Sequence, residues 1–93
     1  MPSPATSPDA WERYARELGQ NIQRERARIG HSQDRVAYEA NLSRYTYQKL
    51  EKGEPKPGAP ANPTGKTLLA ISQVLGVELT SLLPDGVPDL TAK

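Results

Sequence analysis

The chain has 93 residues, a formal net charge of +1 and a hydrophobic fraction of 35%. That length supports one small domain with a modest core. Disulfides and thiolate metal sites are excluded because the chain has no cysteine. No run approaches the roughly 18 apolar residues of a membrane span, and the opening MPSPATSPDA lacks the pattern of a secretory signal. We therefore expect a cytoplasmic protein with no membrane partner.

Proline divides the chain into segments, because all nine prolines fall near its start, in one central stretch, or near its end. The central stretch, GEPKPGAPANP, predicts an extended, exposed loop. The expected organisation is a disordered lead over 1–8, a domain over 9–84 with its loop over 53–63, and a tail over 85–93.

Charge is uneven along the chain. Residues 22–58 hold eight Lys/Arg and five Asp/Glu, whereas residues 59–93 hold two and three. A local basic face of this kind fits a nucleic-acid binder, while the low net charge argues against non-specific coating of nucleic acid.

Capping residues and apolar periodicity predict five helices. The first has Pro8 at its first position and one apolar face up to Gly30. The second is expected over residues 33–40, the third over 44–52, and the fourth between Thr64 and Gly76. A short fifth turn precedes Pro84, and no strand pattern is visible. The predicted capping residues are Ser7, Ser32, Ser43 and Thr64.

The joint between the second and third helices has only three residues, Asn41-Leu42-Ser43. A turn this sharp needs a residue in the left-handed backbone region. After glycine, asparagine adopts that region most readily.

These features together resemble the phage repressor and Cro-type helix-turn-helix family, also called the xenobiotic-response-element family. The motif is SQDRVAYEANLSRYTYQKLEKG at 32–53, with LGQNIQRERARIG before it and TLLAISQVLGVELTSLL after it. The resemblance covers about residues 15–84. It implies an all-α fold, a compact five-helix repressor-like domain whose helix-turn-helix is formed by helices 2 and 3. The departures are Asn41, where the family usually has glycine, and the longer loop after the third helix.

The third helix has two faces at about 100° per residue. Tyr47, Leu50 and Glu51 cluster on the inward side, and we expect the Tyr47 ring to fill the space between helices with its hydroxyl near the rim. Tyr45 points about 160° away from Tyr47. The outward set is Arg44, Tyr45, Gln48, Lys49 and Lys52.

The resemblance implies a sequence-specific double-stranded DNA-binding transcriptional regulator that reads the major groove with helix 44–52. Arginine and lysine donate to guanine O6 and N7, and glutamine reads adenine. The alternative for each side chain is a solvated helix face. The predicted base-contacting residues are Arg44, Tyr45, Thr46, Gln48 and Lys49.

Phosphate contacts are expected at the helix starts and in the loop. Gln33 opens the second helix, where free N–H groups favour an anion, and matching family members use this glutamine to hold a phosphate and brace the reading helix. The predicted phosphate-contacting residues are Gln33, Ser43, Lys52 and Lys56.

Glu51 lies on the inward face and needs a partner, because an unpaired buried charge is costly. Arg26 matches the family's partner for this acid, so we expect a structural ion pair. The sequence predicts no enzyme, no cofactor, no metal site and no small-molecule ligand, since it contains no nucleophile–base set or glycine-rich phosphate loop. The lone His31 is expected to cap or face solvent.

The expected partner is a near-palindromic operator bound by a homodimer, because one such domain contacts only a half-site. Four apolar residues near the C-terminal helix are candidate dimer contacts, although a position in the core fits most of them at least as well. The alternative function is a protein-interaction module of the same fold, an antitoxin or accessory regulator with weak or no specific DNA binding. The four residues are Val77, Leu79, Leu82 and Leu83.

Overall fold

A computed structural model describes residues 8–53 and 60–92. These residues form five α-helices and contain no strand, so the predicted all-α class is confirmed. The predicted lead, apart from Pro8, lies outside the described residues. No helix in the described part of the chain is long and apolar enough to cross a membrane. The helices are α1 (Pro8–Ile29), α2 (Gln33–Glu39), α3 (Arg44–Lys52), α4 (Gly65–Leu75) and α5 (Leu79–Leu82).

Three helix starts lie where the capping residues predict them, and the fourth predicted cap, Ser7, lies outside the described residues. Three hydroxyl oxygens each accept a hydrogen bond from the backbone N–H three residues ahead, at 3.0–3.1 Å, because the Ncap side chain satisfies an otherwise unpaired donor. Each cap has extended backbone angles. These caps, which fix where α2, α3 and α4 begin, are Ser32, Ser43 and Thr64.

The turn between α2 and α3 depends on one left-handed residue. Asn41 has φ of 60° and is the only non-glycine residue with positive φ in the described part of the chain. Leu42 N–H donates to the carbonyl of Ala37 at 2.8 Å, which closes the turn against the end of α2. The predicted role of Asn41 is confirmed, and the turn joins the end of α2 to the start of α3.

The inward faces of the helices meet in one core. One expectation about it was wrong. Tyr47 has no exposed surface, so its hydroxyl is buried within the core and not at the rim. Leu82 is also fully buried, because α5 folds back onto α1 and α4. The side-chain amide of Asn21 donates to the Leu82 carbonyl at 2.9 Å and secures that end of the chain.

The long α1 packs closely against the end of α3, and two glycines permit this approach. A Cβ atom at Gly19 would lie 2.5 Å from the carbonyl oxygen of Glu51, well inside contact distance. A Cβ atom at Gly53 would lie 2.6 Å from Cα of Arg16, and Gly53 also ends α3 in the left-handed region, at φ of 75°. The contact brings the first half of α1 beside α3.

The proline-rich loop is described only at its two ends, since residues 54–59 lie outside the described residues. Ala61 N–H donates to the Gly53 carbonyl at 2.8 Å, and the Ala61 side chain is buried in the core. The expectation of an exposed loop is therefore wrong at Ala61. The small Ala61 side chain fits into the core, and its contacts hold the segment that leads into α4.

Candidate nucleic-acid interface

The start of α3 is an exposed surface. Four consecutive residues at this end are solvent-exposed, whereas the next residue, Tyr47, is fully buried. The exposed run arises because the short turn sets the N-terminus of α3 away from the core, while the following turns of the helix contact α1 and α2. The exposed residues are Ser43, Arg44, Tyr45 and Thr46.

Arg44 is paired across the two helices of the motif. Its Nε lies 3.3 Å from Oδ1 of Asp34, which occupies the first turn of α2. Both side chains remain about two-thirds exposed, at 68% and 65%. An exposed ion pair contributes roughly 0–1 kcal/mol in water. This contact therefore orients Arg44, and Arg44 can exchange it for another partner at little cost in free energy.

Tyr45 and Lys49 form a second pair, one turn apart on α3. The Lys49 ammonium lies 3.7 Å from the centre of the Tyr45 ring, within cation–π distance. Tyr45 is 65% exposed, and Lys49 is half-buried. The outward position predicted for Tyr45 is confirmed, and the ring presents one flat apolar surface together with a positive charge.

A buried ion pair lies beneath this surface. Arg26 Nε donates to Glu51 Oε2 at 2.6 Å, and Arg26 Nη2 donates to Glu51 Oε1 at 3.1 Å. The remaining Nη1 donates to the carbonyl of His31 at 3.0 Å. The expected Arg26–Glu51 pair is present, and its bidentate geometry joins the last turns of α1 and α3.

Gln33 extends this network toward the surface. Its Nε2 donates to Glu51 Oε1 at 2.8 Å, and its Oε1 accepts from Gln48 Nε2 at 3.1 Å. The carboxylate can only accept, so the Gln33 amide must present its nitrogen to Glu51 and its oxygen to Gln48. One amide therefore braces α3 against α2, as predicted for Gln33. Gln48 is half-buried and held toward α2, and its own Oε1 and second N–H have the capacity to bind another partner.

The pKa values of two groups in this network are shifted, in opposite directions. Burial alone raises the pKa of the Glu51 carboxyl, but the hydrogen bonds from its neighbours, that of Arg26 first, outweigh burial and leave the pKa below its usual value. Burial, followed by the neighbouring Glu51 carboxylate, raises the pKa of the Tyr47 hydroxyl. That hydroxyl is buried and makes no hydrogen bond of acceptable geometry to another described residue. Glu51 is consequently ionised and Tyr47 neutral at pH 7.

The remaining predicted site residues lie around α3. The Thr46 hydroxyl oxygen accepts a hydrogen bond from Ser43 Oγ at 2.9 Å. These two predicted site residues therefore contact each other at the start of α3. Thr46 faces a shallow groove on the side of α4, away from Gln33. Lys52 is exposed at the far end of α3. Lys56 lies outside the described residues.

Several residues near the surface were missed by sequence reasoning. Arg16, Gln20 and Gln23 of α1 line a polar groove with Gln33, Gln48, Glu51 and Lys52. These α1 residues are spaced four and three positions apart, so they form a polar stripe along one face of the helix. Helical periodicity in the sequence indicates such a stripe. Asp34 was also missed. Its contact with Arg44 depends on the angle between α2 and α3, for which the sequence carries no direct signal.

Comparison with known proteins identifies the fold. The model of a family described as Helix-turn-helix matches residues 22–82, from the middle of α1 to the end of α5. One solved structure that resembles the chain is the restriction-modification controller protein C.AhdI from Aeromonas hydrophila, with a TM-score of 0.64 and 23% sequence identity. The alignment covers 74% of this chain and 96% of that chain. No curated protein matches the chain significantly.

Proposed function

The chain belongs to the helix-turn-helix family of DNA-binding transcriptional regulators, and we propose that it recognises a specific double-stranded sequence by inserting the start of α3 into the major groove. The major groove is about 12 Å wide and admits one α-helix. In this motif the second helix reads the bases and the first crosses the backbone.

One observation carries the proposal: the exposed N-terminal turn of α3 bears groups that suit base edges, and the buried network holds that turn in place. Arg44 donates in the geometry that fits guanine O6 and N7, and Tyr45 offers an apolar face for a thymine methyl group. Lys49 completes the surface with a second charge. Thr46 and Gln48 flank it and are proposed to contact bases at its edges.

Backbone contacts are proposed at the helix starts and along the polar groove. Gln33 keeps one N–H for a phosphate oxygen after its two internal hydrogen bonds, and it lies at the N-terminus of α2, where an anion is favoured. Ser43 caps α3 beside it. Lys52 and Arg16 add positive charge to the groove between α1 and α3, so this groove suits a phosphate strand.

A homodimer on a near-palindromic operator is part of the proposal, because one domain contacts only a half-site. Half-sites would lie about 34 Å apart. Leu82 is excluded as a dimer contact in this fold, since it is fully buried. Val77, Leu79 and Leu83 are half-buried and remain the proposed contacts.

Selection of bound sites from random duplex DNA, followed by titration of the selected duplex, tests the function. A recovered palindrome supports specific recognition by a twofold dimer. Absence of any enriched sequence contradicts the proposal and favours the interaction-module alternative.

Two substitutions test how α3 and α2 contribute. Arg44→Ala is expected to weaken the selected duplex by about 1–3 kcal/mol, with the loss concentrated at one base pair. Gln33→Ala is expected to weaken every duplex alike. Arg28→Ala is the matched control, because Arg28 is similarly exposed and also pairs with a carboxylate, at 2.7 Å, but lies on α1. Unchanged affinity of Arg44→Ala would remove Arg44 from the reading surface.

A further inference from the structure

We infer that Asp34 sets the specificity of the α3 surface by positioning Arg44 and by repelling DNA that offers Arg44 no matching base. The inference rests on the proposed function. Asp34 is an acid at the exposed edge of the proposed DNA-binding face, and nothing in phosphate recognition calls for a negative charge there.

The first step is the geometry of the pair. Asp34 Oδ1 lies 3.3 Å from Arg44 Nε, and this contact occupies one edge of the guanidinium. The contact is made through Nε, so it does not use the two terminal nitrogens, which form the planar fork that matches guanine O6 and N7. Asp34 therefore favours orientations of this long, flexible side chain in which the fork is available to a base.

The second step is electrostatic. Asp34 is 65% exposed at the start of α2, beside Gln33, where a phosphate is proposed to bind. A carboxylate within a Debye length of about 8 Å of the phosphates is repelled by them. This repulsion alone is the same on every sequence. The preference arises because the carboxylate also holds Arg44 away from phosphates, which penalises contacts made without a matching guanine more than the contact with that guanine.

The other exposed carboxylate of α2 provides a matched control. Glu39 pairs with Arg35 on its own helix, at 3.0 Å, and not with α3. Glu39→Gln removes the same charge from the same helix as Asp34→Asn. Any difference between the two variants therefore reports the position of the carboxylate and not the net charge of the protein.

The test compares dissociation constants for the selected duplex, its single base-pair variants and a random duplex of equal length, measured by fluorescence anisotropy at several salt concentrations. Asp34→Asn is expected to bind the random duplex about three- to tenfold more tightly, with a salt slope steeper by up to about 1. Its preference for the selected duplex is expected to fall by about fivefold or more. Asp34→Glu should restore the preference, and Glu39→Gln should keep that of the wild type.

A double-mutant cycle tests whether Asp34 acts through Arg44. In an Arg44→Ala background, Asp34→Asn should cause no further loss of discrimination at the base pair that Arg44 reads. The inference is overturned if Asp34→Asn keeps the wild-type preference, or if it weakens both duplexes equally, as a merely structural residue would. A wild-type protein with no preferred duplex contradicts the proposed function itself, which is a separate and distinguishable result.

Discussion

Replacing Glu51 with glutamine perturbs the buried network that positions α3 while preserving the shape of the side chain. The Glu51 carboxylate accepts three hydrogen bonds, two from Arg26 and one from Gln33, and its side chain is only 3% exposed. Glutamine supplies one acceptor oxygen, and its amide nitrogen faces donors that it cannot accept from. At least one donor in the network is therefore left without an acceptor.

The magnitude follows from the loss of charge. Breaking a buried ion pair by removing one partner costs about 3–5 kcal/mol. Arg26 keeps its bond to the His31 carbonyl and 16% side-chain exposure, so we expect a loss just below that range, about 2–3 kcal/mol at pH 7. That is a large share of the roughly 5–15 kcal/mol that stabilises a domain of this size, and it corresponds to a fall in Tm of about 10–20 °C.

The same substitution has a pH signature. The folded-state pKa of Glu51 is lowered, so its stabilisation is fully present above the ordinary glutamate pKa of about 4.3 and is lost as pH falls through the folded-state value. The difference in free energy of unfolding between wild type and Glu51→Gln should therefore shrink as pH falls below the ordinary glutamate pKa. The other carboxylates titrate in both proteins and cancel in that difference.

Urea denaturation followed by circular dichroism at several pH values measures both effects. Glu39→Gln is the control, because its pair with Arg35 is exposed, and we expect a change of less than about 0.5 kcal/mol. The reasoning is refuted if Glu51→Gln matches this control at pH 7. It is also refuted if the loss of stability is the same at pH 7 and pH 2.

Three further changes test the fold and the proposed interface. Gly19→Ala places a methyl group against the α3 backbone and should cost about 1–3 kcal/mol in urea denaturation, whereas Gln20→Ala, at an exposed neighbouring position, should have little effect. Asn41→Gly should leave the free energy of unfolding nearly unchanged, while Asn41→Val should lower it by about 1–2 kcal/mol, because a β-branched residue resists positive φ. Lys52→Ala should weaken binding to all duplexes alike and reduce the salt slope by about 1, and a loss restricted to one sequence would contradict the backbone role.

Much of the fold was predictable because its signals are local. Ser32, Ser43 and Thr64 each cap a helix through a bond that spans three residues, so sequence position alone determines the contact. The left-handed Asn41 is a similar case, since backbone sterics restrict which residues fit the turn. The two faces of α3 follow from helical periodicity, and burial of Tyr47 and exposure of Tyr45 agree with it.

The candidate site was predictable only in part. The Arg26–Glu51 pair joins residues 25 positions apart, and it was expected because the family resemblance supplied the partner, not because the residues themselves indicate it. The Gln48–Gln33 bond and the burial of Ala61 depend on how α2, α3 and the loop are set against one another. Neither feature leaves a pattern in the sequence, because each depends on contacts between residues of different elements.

The amino-acid sequence by itself determined the helices, the sharp turn, and which side of α3 faces outward, since hydrogen bonds over three or four residues and a period of 3.6 govern these features. Only the tertiary structure decided how the outward side chains are held. The Tyr47 hydroxyl is buried because the helices pack around α3, with α1 and α2 both in contact with it. Arg44 Nε lies 3.3 Å from Asp34 Oδ1 because α2 packs against α3 and the starts of the two helices are brought together, a contact between elements that the order of the residues does not indicate.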